Sequence, residues 1–295
     1  MHKHLLTLYT RTPLHVGCGT SVDVVDLPIM RERITKFPVI PGSSLKGVLL
    51  QAAREHFENG AHARSNNSLP AEAKLLFGAI EKEGDTHNPN AGCVQIMEAK
   101  LLAFPVRSLA GCFAWITCPA VLERYKRDTG SSFEVPQPKK DQVIAGSNLI
   151  AGGHVVLEEY ALTIEAGKSV SGIATALQDR TNDPLWTANL EKRLAIVHDE
   201  NFQHFVTTCT EVVTRVKIDP TTRTVDGGAL FNQENVPCEA LFYSVLSVLA
   251  PRRPGSEGDA NTLLTDLLKA NPTLQIGGDE TTGHGLCETQ IKTLA

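Results

Sequence analysis

The spacing of apolar residues predicts strands and helices at both ends of the chain. Residues 4–10 form a strand-like run that ends at a Thr-Pro turn, and residues 113–118 form a second run of this kind. Between residues 45 and 54 the apolar positions recur at helical spacing, which predicts a helix, and a further helix is expected over residues 261–269. Either Ser43 or Ser44 would suit the N-cap of the first helix.

The middle of the chain has weaker patterns. Residues 128–153 are rich in polar, Gly and Pro residues and are expected to form an excursion, whereas residues 155–165 are expected to form a strand. Residues 186–206 favour helix irregularly. Strand-like segments at 210–218 and 224–231 flank an Asp-Pro-Thr-Thr turn, which predicts a β-hairpin. The order strand, helix, strands, helix, strand indicates an α+β fold, of which β-α-β-β-α-β units are an example.

Composition narrows the function. The chain has 295 residues, enough for one large domain or two small ones, and a net charge of -5 from 28 basic and 33 acidic residues. This balance argues against non-specific nucleic-acid binding by a strongly basic domain, but it permits a local basic strip. Aromatic residues make up only 5% of the chain, which argues against a wide stacking platform for bases.

Cysteine usage and hydropathy indicate the compartment. The seven cysteines include no Cys-x-x-Cys pair, which favours reduced thiols over a disulfide framework or a zinc site. The chain starts without the pattern of a signal peptide, and no apolar stretch reaches membrane-spanning length. We therefore expect a soluble, cytoplasmic protein with no membrane partner.

Glycine-rich segments near both ends indicate a polyanionic ligand. Glycine lets backbone N–H groups approach an anion closely, and successive N–H groups can form a nest for phosphate. A helix that begins near Gly42 would add its N-terminal N–H groups. The candidate phosphate ligands are Ser43, Ser44, Lys46, Gly277, Gly278, Thr281, Thr282, Gly283 and His284. The alternatives are that Lys46 is an ordinary solvated lysine and that the terminal glycines serve only the geometry of a connection.

Five motifs in this chain, in this order, resemble the RAMP superfamily of CRISPR–Cas proteins, and in particular the backbone subunit of the type III-B effector complex. They cover most of the first 125 residues or so and about the last 60, as estimated from their placement. One glycine motif alone would be weak evidence, but five in order are specific. The motifs are residues 12–19, 25–32, 37–47, 76–78 with 99–108, and 277–285.

The resemblance implies a fold and a role. The fold would be a single domain, residues 1–295, with a ferredoxin-like, RNA-recognition-motif-like core at about 1–127 and 232–295. Insertions and a β-hairpin thumb would lie within 128–231. Copies of the subunit would stack in a filament along a CRISPR guide RNA, together with other subunits of the complex. A complementary single-stranded target RNA would be cleaved at regular intervals.

The resemblance also implies a catalytic residue. Asp26 matches the acidic residue of the family and would hold Mg²⁺ or another divalent cation, because a hydrated Mg²⁺ needs only one or two protein carboxylates. The expected product is a 2′,3′-cyclic phosphate. His15 is the nearest general base by sequence, with a structural role in the glycine turn as its alternative. Asp23 competes with Asp26, although it is better suited to a turn.

Basic residues provide candidate RNA contacts. Arg31 and Arg33 could follow the guide backbone, or they could form ion pairs with Glu32, Asp23 or Asp26. Arg215 and Lys217 lie in the predicted hairpin, which is the candidate thumb, and would otherwise be solvated.

Three other functions stay open at this point. A scaffold subunit would bind guide RNA without cutting. A guide-processing endonuclease of the same superfamily would use a histidine-led site and no metal. A nucleotide-binding enzyme would use the glycine loops, but the chain has no G-x-x-x-x-G-K-[S/T] motif.

Overall fold

The structure is a computed structural model that describes residues 1–21, 25–58, 69–78, 91–219, 221–251 and 258–294. The side chains of Lys217 and of residues 226–229 also lie outside the described part. Asp23 falls outside the described residues as well. Within the described ranges, no helix is both long enough and apolar enough to cross a membrane.

The described residues form one large mixed sheet and one separate two-stranded hairpin. The main sheet has thirteen strands: β1 (His2–Thr10), β2 (Val39–Ile40), β3 (Val94–Ile96), β4 (Ala99–Arg107), β5 (Phe113–Thr117), β6 (Gln142–Ala145), β7 (Ile150–Ala151), β8 (His154–Leu157), β9 (Tyr160–Ile164), β10 (Leu194–Val197), β13 (Leu241–Val248), β14 (Thr273–Gln275) and β15 (Leu286–Leu294). The hairpin consists of β11 (Glu211–Ile218) and β12 (Val225–Asn235).

Helices flank the sheet. They are α1 (Gly42–Phe57), α2 (Ala71–Phe77), α3 (Pro119–Thr129), α4 (Ser171–Leu177), α5 (Pro184–Arg193), α6 (Asp199–Thr208) and α7 (Ala260–Ala270). Helices α1, α2 and α7 pack against one another, and α5 packs against β5. The fold is therefore a mixed α/β arrangement, as the α+β prediction required at the level of class.

The strand order runs β14-β15-β1-β13-β4-β5-β10-β6-β9-β8-β7, with β2 beside β4 and β3 beside β13. Towards one end of this order, β15, β1, β13 and β4 are antiparallel neighbours. Helix α1 lies between β1 and β4 in the chain, and α7 lies between β13 and β15. Towards the other end of the sheet, the pairs β5–β10 and β6–β9 are parallel, so this part of the sheet is mixed.

The hydrophobic core is continuous from the four antiparallel strands to the strands at the other end of the sheet. Helix α1 buries Leu45 and Leu49, and the ring of Trp115 in β5 meets Trp186 of α5 edge to face at 5.0 Å. Each fully buried side chain of this size contributes about 1.5–3 kcal/mol, so these contacts fix the outer strands onto the core.

Helix α1 begins earlier than the sequence predicts. Its N-cap is Pro41, no side chain caps it, and the prediction that Ser43 or Ser44 is the N-cap is therefore wrong. The reason lies at Gly42, where a Cβ would come within 2.6 Å of the Ile96 carbonyl oxygen. Only glycine allows the chain to enter the helix this close to another backbone.

The middle of the chain is more regular than expected. The excursion at 128–153 contains β6 and β7, and the strand expected at 155–165 is the β8–β9 hairpin. Residues 186–206 contain most of α5, all of β10 and part of α6. The break between β8 and β9 falls at a turn without glycine or proline, where Glu158 has φ = 50°.

Candidate functional site

The candidate site is built on residues 232–235, which we call the inner half of β12. Gln233, Glu234 and Asn235 are polar yet 2%, 6% and 0% exposed. Because buried polar groups require hydrogen-bond partners, this segment must organise its surroundings. The backbone groups of residues 232 and 234 bond to neighbouring residues along one edge of the strand, whereas the side chain of residue 233 makes its contact on one face.

Asp26 lies on the strand edge that faces away from β11. Its Oδ2 accepts a hydrogen bond of 2.7 Å from the backbone N–H of Asn232. The next residue, Leu27, donates its N–H to the Asn232 carbonyl and accepts from the N–H of Glu234, both at 3.0 Å. Asp26 is partly exposed, and no donor among the described residues contacts its Oδ1. Among the described residues, the carboxylate is therefore held through Oδ2 alone.

His15 is attached to the same edge. Its Nδ1 lies 2.6 Å from the Glu234 carbonyl oxygen. Since a carbonyl can only accept, Nδ1 carries the proton, and in the neutral ring Nε2 carries the lone pair. The backbone anchors of Asp26 and His15 are two residues apart on one strand, or about 7 Å. The structure thus brings together the two predicted catalytic residues at one edge.

Two glycines pack closely against His15. A Cβ on residue 17 would lie 2.7 Å from His15 Nε2, and a Cβ on residue 277 would lie 2.1 Å from the His15 carbonyl oxygen. That carbonyl also accepts the N–H of Gly278 at 2.9 Å. The two glycine-rich segments, distant in sequence, therefore meet at His15.

Glu234 binds Arg31. Its Oε1 accepts from Arg31 Nη2 at 2.6 Å and from Thr210 Oγ1 at 2.7 Å, and its Oε2 accepts from the N–H of Ile29 at 3.0 Å. The second terminal nitrogen of Arg31, Nη1, donates to the backbone carbonyls of Lys36 and Val206. The side chain of Arg31 is 15% exposed, so the structure favours ion pairing over RNA contact for this residue. Its partner is Glu234 rather than a carboxylate of its own loop.

The other basic candidates are more open. Arg33 is exposed, as are Ser43 and Lys46 in the first turn of α1, while Ser44 is partly exposed. Because no side chain caps α1, its first N–H groups are left for other acceptors. A backbone hydrogen bond of 3.1 Å from the Val39 N–H to the Met30 carbonyl connects this region to the loop that carries Asp26.

The backbone N–H groups of the C-terminal glycine loop donate to nearby carbonyl oxygens of the protein. The N–H groups of Gly283 and His284 donate to carbonyl oxygens of the same loop, and the N–H of Gly278 donates to the carbonyl oxygen of His15. At Gly285 a Cβ would lie 1.9 Å from the Ile276 carbonyl oxygen. These contacts support the alternative interpretation, in which the glycines serve geometry. Thr281 and Thr282 are exposed at the tip of the loop.

The odd-numbered face of the inner half meets this loop. Gln233 Nε2 donates to Asp279 Oδ2 at 2.5 Å, and Arg215 Nη2 of β11 lies 3.2 Å from the same oxygen. Arg215 Nη2 also lies 3.2 Å from His284 Nε2. Arg215 and His284 were predicted separately and are in contact.

Sequence reasoning did not select the residues of the inner half or Asp279. A signal was available, because four consecutive polar residues follow an apolar strand at 232–235. A strand that changes from apolar to polar where it should enter a core is typical of a buried polar network.

Among the described residues, no group of three or more His, Cys, Asp and Glu side chains could hold a metal ion. A cation that keeps most of its waters and takes one carboxylate is compatible with Asp26, whose Oδ1 receives no hydrogen bond from a described residue.

Comparison with known proteins supplies the family. The sequence model of the RAMP superfamily matches residues 7–288. The chain is 36% identical over 302 residues to the CRISPR system Cmr endoribonuclease Cmr4 of Pyrococcus furiosus, covering 99% of this chain and 96% of that protein.

Solved structures agree. The crystal structure of oligomeric Cmr4 from Pyrococcus furiosus matches with a TM-score of 0.73 and 30% identity, over 100% of this chain and 99% of that one. A chain of the type III-B Cmr-beta complex bound to cognate target RNA matches with a TM-score of 0.72 over 98% and 96% of the two chains. At 19% identity, that second likeness shows the fold alone. The chain belongs to the RAMP superfamily and, within it, to the family of the Cmr4 proteins.

Proposed function

We propose that this chain is the backbone subunit of a type III-B CRISPR ribonucleoprotein and cleaves target RNA that is paired with the guide. The observation that carries the proposal is the attachment of Asp26 and His15 to one edge of β12, at the base of the hairpin. The 36% identical relative is named an endoribonuclease, which supports RNA cleavage as the activity.

The sheet supports a ferredoxin-like core. In that core the four strands lie in the order fourth, first, third, second, and the order β15-β1-β13-β4 corresponds to it. Helices α1 and α7 occupy the places of its two helices. The core would then comprise about residues 1–127 and 232–295 of one domain.

The β11–β12 hairpin is the proposed thumb. It forms a sheet of its own and exposes a series of apolar side chains. These are Val212, Val213, Val216, Ile218, Val225 and Leu230. Exposed apolar clusters of this kind mark interaction sites. We propose that they contact the RNA duplex and further copies of this chain, as the oligomeric relative suggests, with other subunits completing the complex.

Guide RNA would run past the start of α1. Lys46, Arg33, Ser43 and Ser44 are accessible there, and the uncapped helix N-terminus favours phosphate. Thr281 at the tip of the glycine loop could add a hydroxyl donor. A local strip of this kind is compatible with a net charge of -5.

In the proposed reaction the 2′-oxygen of the RNA attacks the adjacent phosphorus and the 5′-oxygen leaves. The leaving 5′-oxygen takes up a proton from water, so this step yields a 2′,3′-cyclic phosphate and a 5′-hydroxyl. His15 Nε2 would accept the proton of the 2′-hydroxyl, because Nδ1–H is committed to the Glu234 carbonyl. The N–H of Asn232 fixes the orientation of the Asp26 carboxylate.

Asp26 is the residue that would hold Mg²⁺ or another divalent cation. When bound, such a cation would supply charge stabilisation at the phosphate and orient it. One carboxylate suffices for this, since Mg²⁺ retains several waters.

The test is a cleavage assay on the complex assembled with guide RNA. Target RNA labelled at one end is incubated with Mg²⁺ or with chelator, and the product ends are analysed chemically. Cuts at regular intervals that require the cation and leave cyclic phosphates are expected. Intact target in the presence of Mg²⁺ would leave the chain as a scaffold, and chelator-resistant cutting of precursor RNA would favour guide processing.

A further inference from the structure

We propose that Asp279 and His284 are positioning residues that hold Arg215 and so keep the base of the hairpin aligned with Asp26. The C-terminal glycine loop is, in this view, a latch on the hairpin. The inference rests on the proposed function and deepens it, because it concerns the geometry of the same site.

The latch has three contacts. Asp279 Oδ2 lies 3.2 Å from Arg215 Nη2 and 2.5 Å from Gln233 Nε2, and it thus bridges both strands of the hairpin. His284 Nε2 lies 3.2 Å from the same guanidinium nitrogen. One carboxylate and one ring therefore hold the base of β11 and β12.

The hydrogen-bond directions are consistent. A guanidinium can only donate, so His284 Nε2 accepts and Nδ1 carries the proton. Nδ1 lies 3.1 Å from Thr282 Oγ1, which donates to the Asp279 carbonyl oxygen at 2.9 Å. The loop thus presents the Asp279 carboxylate and the His284 lone pair to Arg215 as one preformed unit.

Few other contacts position Arg215. Its side chain is 22% exposed, and that of Asp279 is 30% exposed. Within the described residues, Arg215 Nε is buried without a hydrogen-bond partner. Among the described residues, removal of Asp279 would therefore leave only the His284 ring to orient this largely buried cation.

The latch is connected to the cleavage site by short backbone paths. Arg215 is paired with Phe231, and the next residue, Asn232, donates the N–H that holds Asp26. On the other side, the N–H of Gly278 binds the carbonyl of His15. A shift of the latch would displace both sides of the site.

The test uses the assembled complex under single-turnover conditions with saturating target RNA. We expect Asp279→Asn to lower the first-order cleavage rate constant by roughly 10- to 100-fold, the scale of a misplacement near 1 Å. Target affinity and reaction amplitude should stay at the wild-type values. Glu280→Gln is the matched control, since it removes the same charge from an exposed neighbour in the loop, and it should cleave at the wild-type rate.

Amplitude and rate constant separate positioning from folding. A variant that merely misfolds in part loses amplitude and keeps its rate constant, and this result would overturn the proposal. If Asp279→Asn does not assemble, Arg215→Met tests the same contact from the hairpin side.

A double-mutant cycle completes the test. If Arg215 and Asp279 act as a unit, the double variant cleaves no more slowly than the slower single variant. Effects that multiply, or a wild-type rate constant in Asp279→Asn, would refute the latch alone. Absence of cleavage by the wild type would instead refute the proposed function, and the latch with it.

Discussion

Strand β12 exposes apolar side chains in one half and buries polar side chains in the other, which is the reverse of the usual distribution. Its outer half exposes apolar side chains, with Val225 51% and Leu230 63% exposed, whereas its inner half buries Gln233, Glu234 and Asn235. Buried polar groups cost free energy unless they are hydrogen-bonded, and exposed apolar groups contribute little to a monomer. One strand therefore combines two environments: the inner half carries the buried hydrogen bonds of the proposed site, and the outer half carries the apolar surface proposed to bind a partner.

The largest effect is expected at the edge of the inner half. His15→Ala removes the proposed base and should lower the cleavage rate by about 10²–10⁴-fold, with target binding retained. Quenched-flow or gel-based single-turnover assays measure this directly. His154→Ala, which changes an exposed histidine, should cleave at the wild-type rate. A His15→Ala variant with full activity would reduce His15 to its structural role.

Glu234→Gln tests whether the inner half depends on its buried charge. The change leaves Arg31 buried without its anion, so the free energy of unfolding should fall by about 3–5 kcal/mol. Urea denaturation followed by fluorescence measures the loss. Glu123→Gln, at an exposed position of α3, should cost almost nothing. Equal stability of the two variants would contradict the account of the inner half.

Two glycines separate the free-energy cost of a left-handed backbone conformation from the cost of a steric clash between an added Cβ and neighbouring backbone. Gly277 and Gly283 both have positive φ, at 82° and 78°, but only at residue 277 would a Cβ meet backbone. Gly283→Ala should cost about 1 kcal/mol, for the conformation alone. Gly277→Ala should cost more, about 3 kcal/mol, because the His15 carbonyl must move. Equal losses in thermal unfolding would show that the close approach to His15 is unimportant.

The smallest effect on folding is expected at the outer half. Leu230→Asp should change the free energy of unfolding by less than about 0.5 kcal/mol, because the side chain is already solvated. Assembly with further copies should nevertheless weaken, as measured by analytical ultracentrifugation with guide RNA. Leu109→Asp is the control, since Leu109 is 74% exposed and lies in the connection between β4 and β5, away from the hairpin. Loss of fold stability at Leu230 would mean that the hairpin belongs to the core.

The sequence predicts the ends of the chain better than its middle. Strand β1 and helices α1 and α7 follow from clear periods, and the hairpin follows from its turn. The segment 128–210 folds through contacts made in three dimensions, such as that of Trp186 with Trp115, which no local pattern contains.

The candidate site divides in the same way. Asp26 and His15 could be selected because motifs carry them, and the resemblance assigns Asp26 its role. Glu234 and Asp279 were not selected, since their roles depend on Arg31 and Gln233, partners that lie more than 40 residues away in the chain. Arg31 illustrates the same limit, because its partner lies on a strand far along the sequence.

The central claim is that Asp26, held at the edge of the inner half, carries cleavage. The most direct measurement compares target-RNA cleavage by the wild-type complex with that by Asp26→Ala, using Asp266→Ala on an exposed turn of α7 as control. The account predicts that the regularly spaced cuts vanish in Asp26→Ala while guide and target binding persist. Unchanged cuts would contradict it and leave the chain as a scaffold.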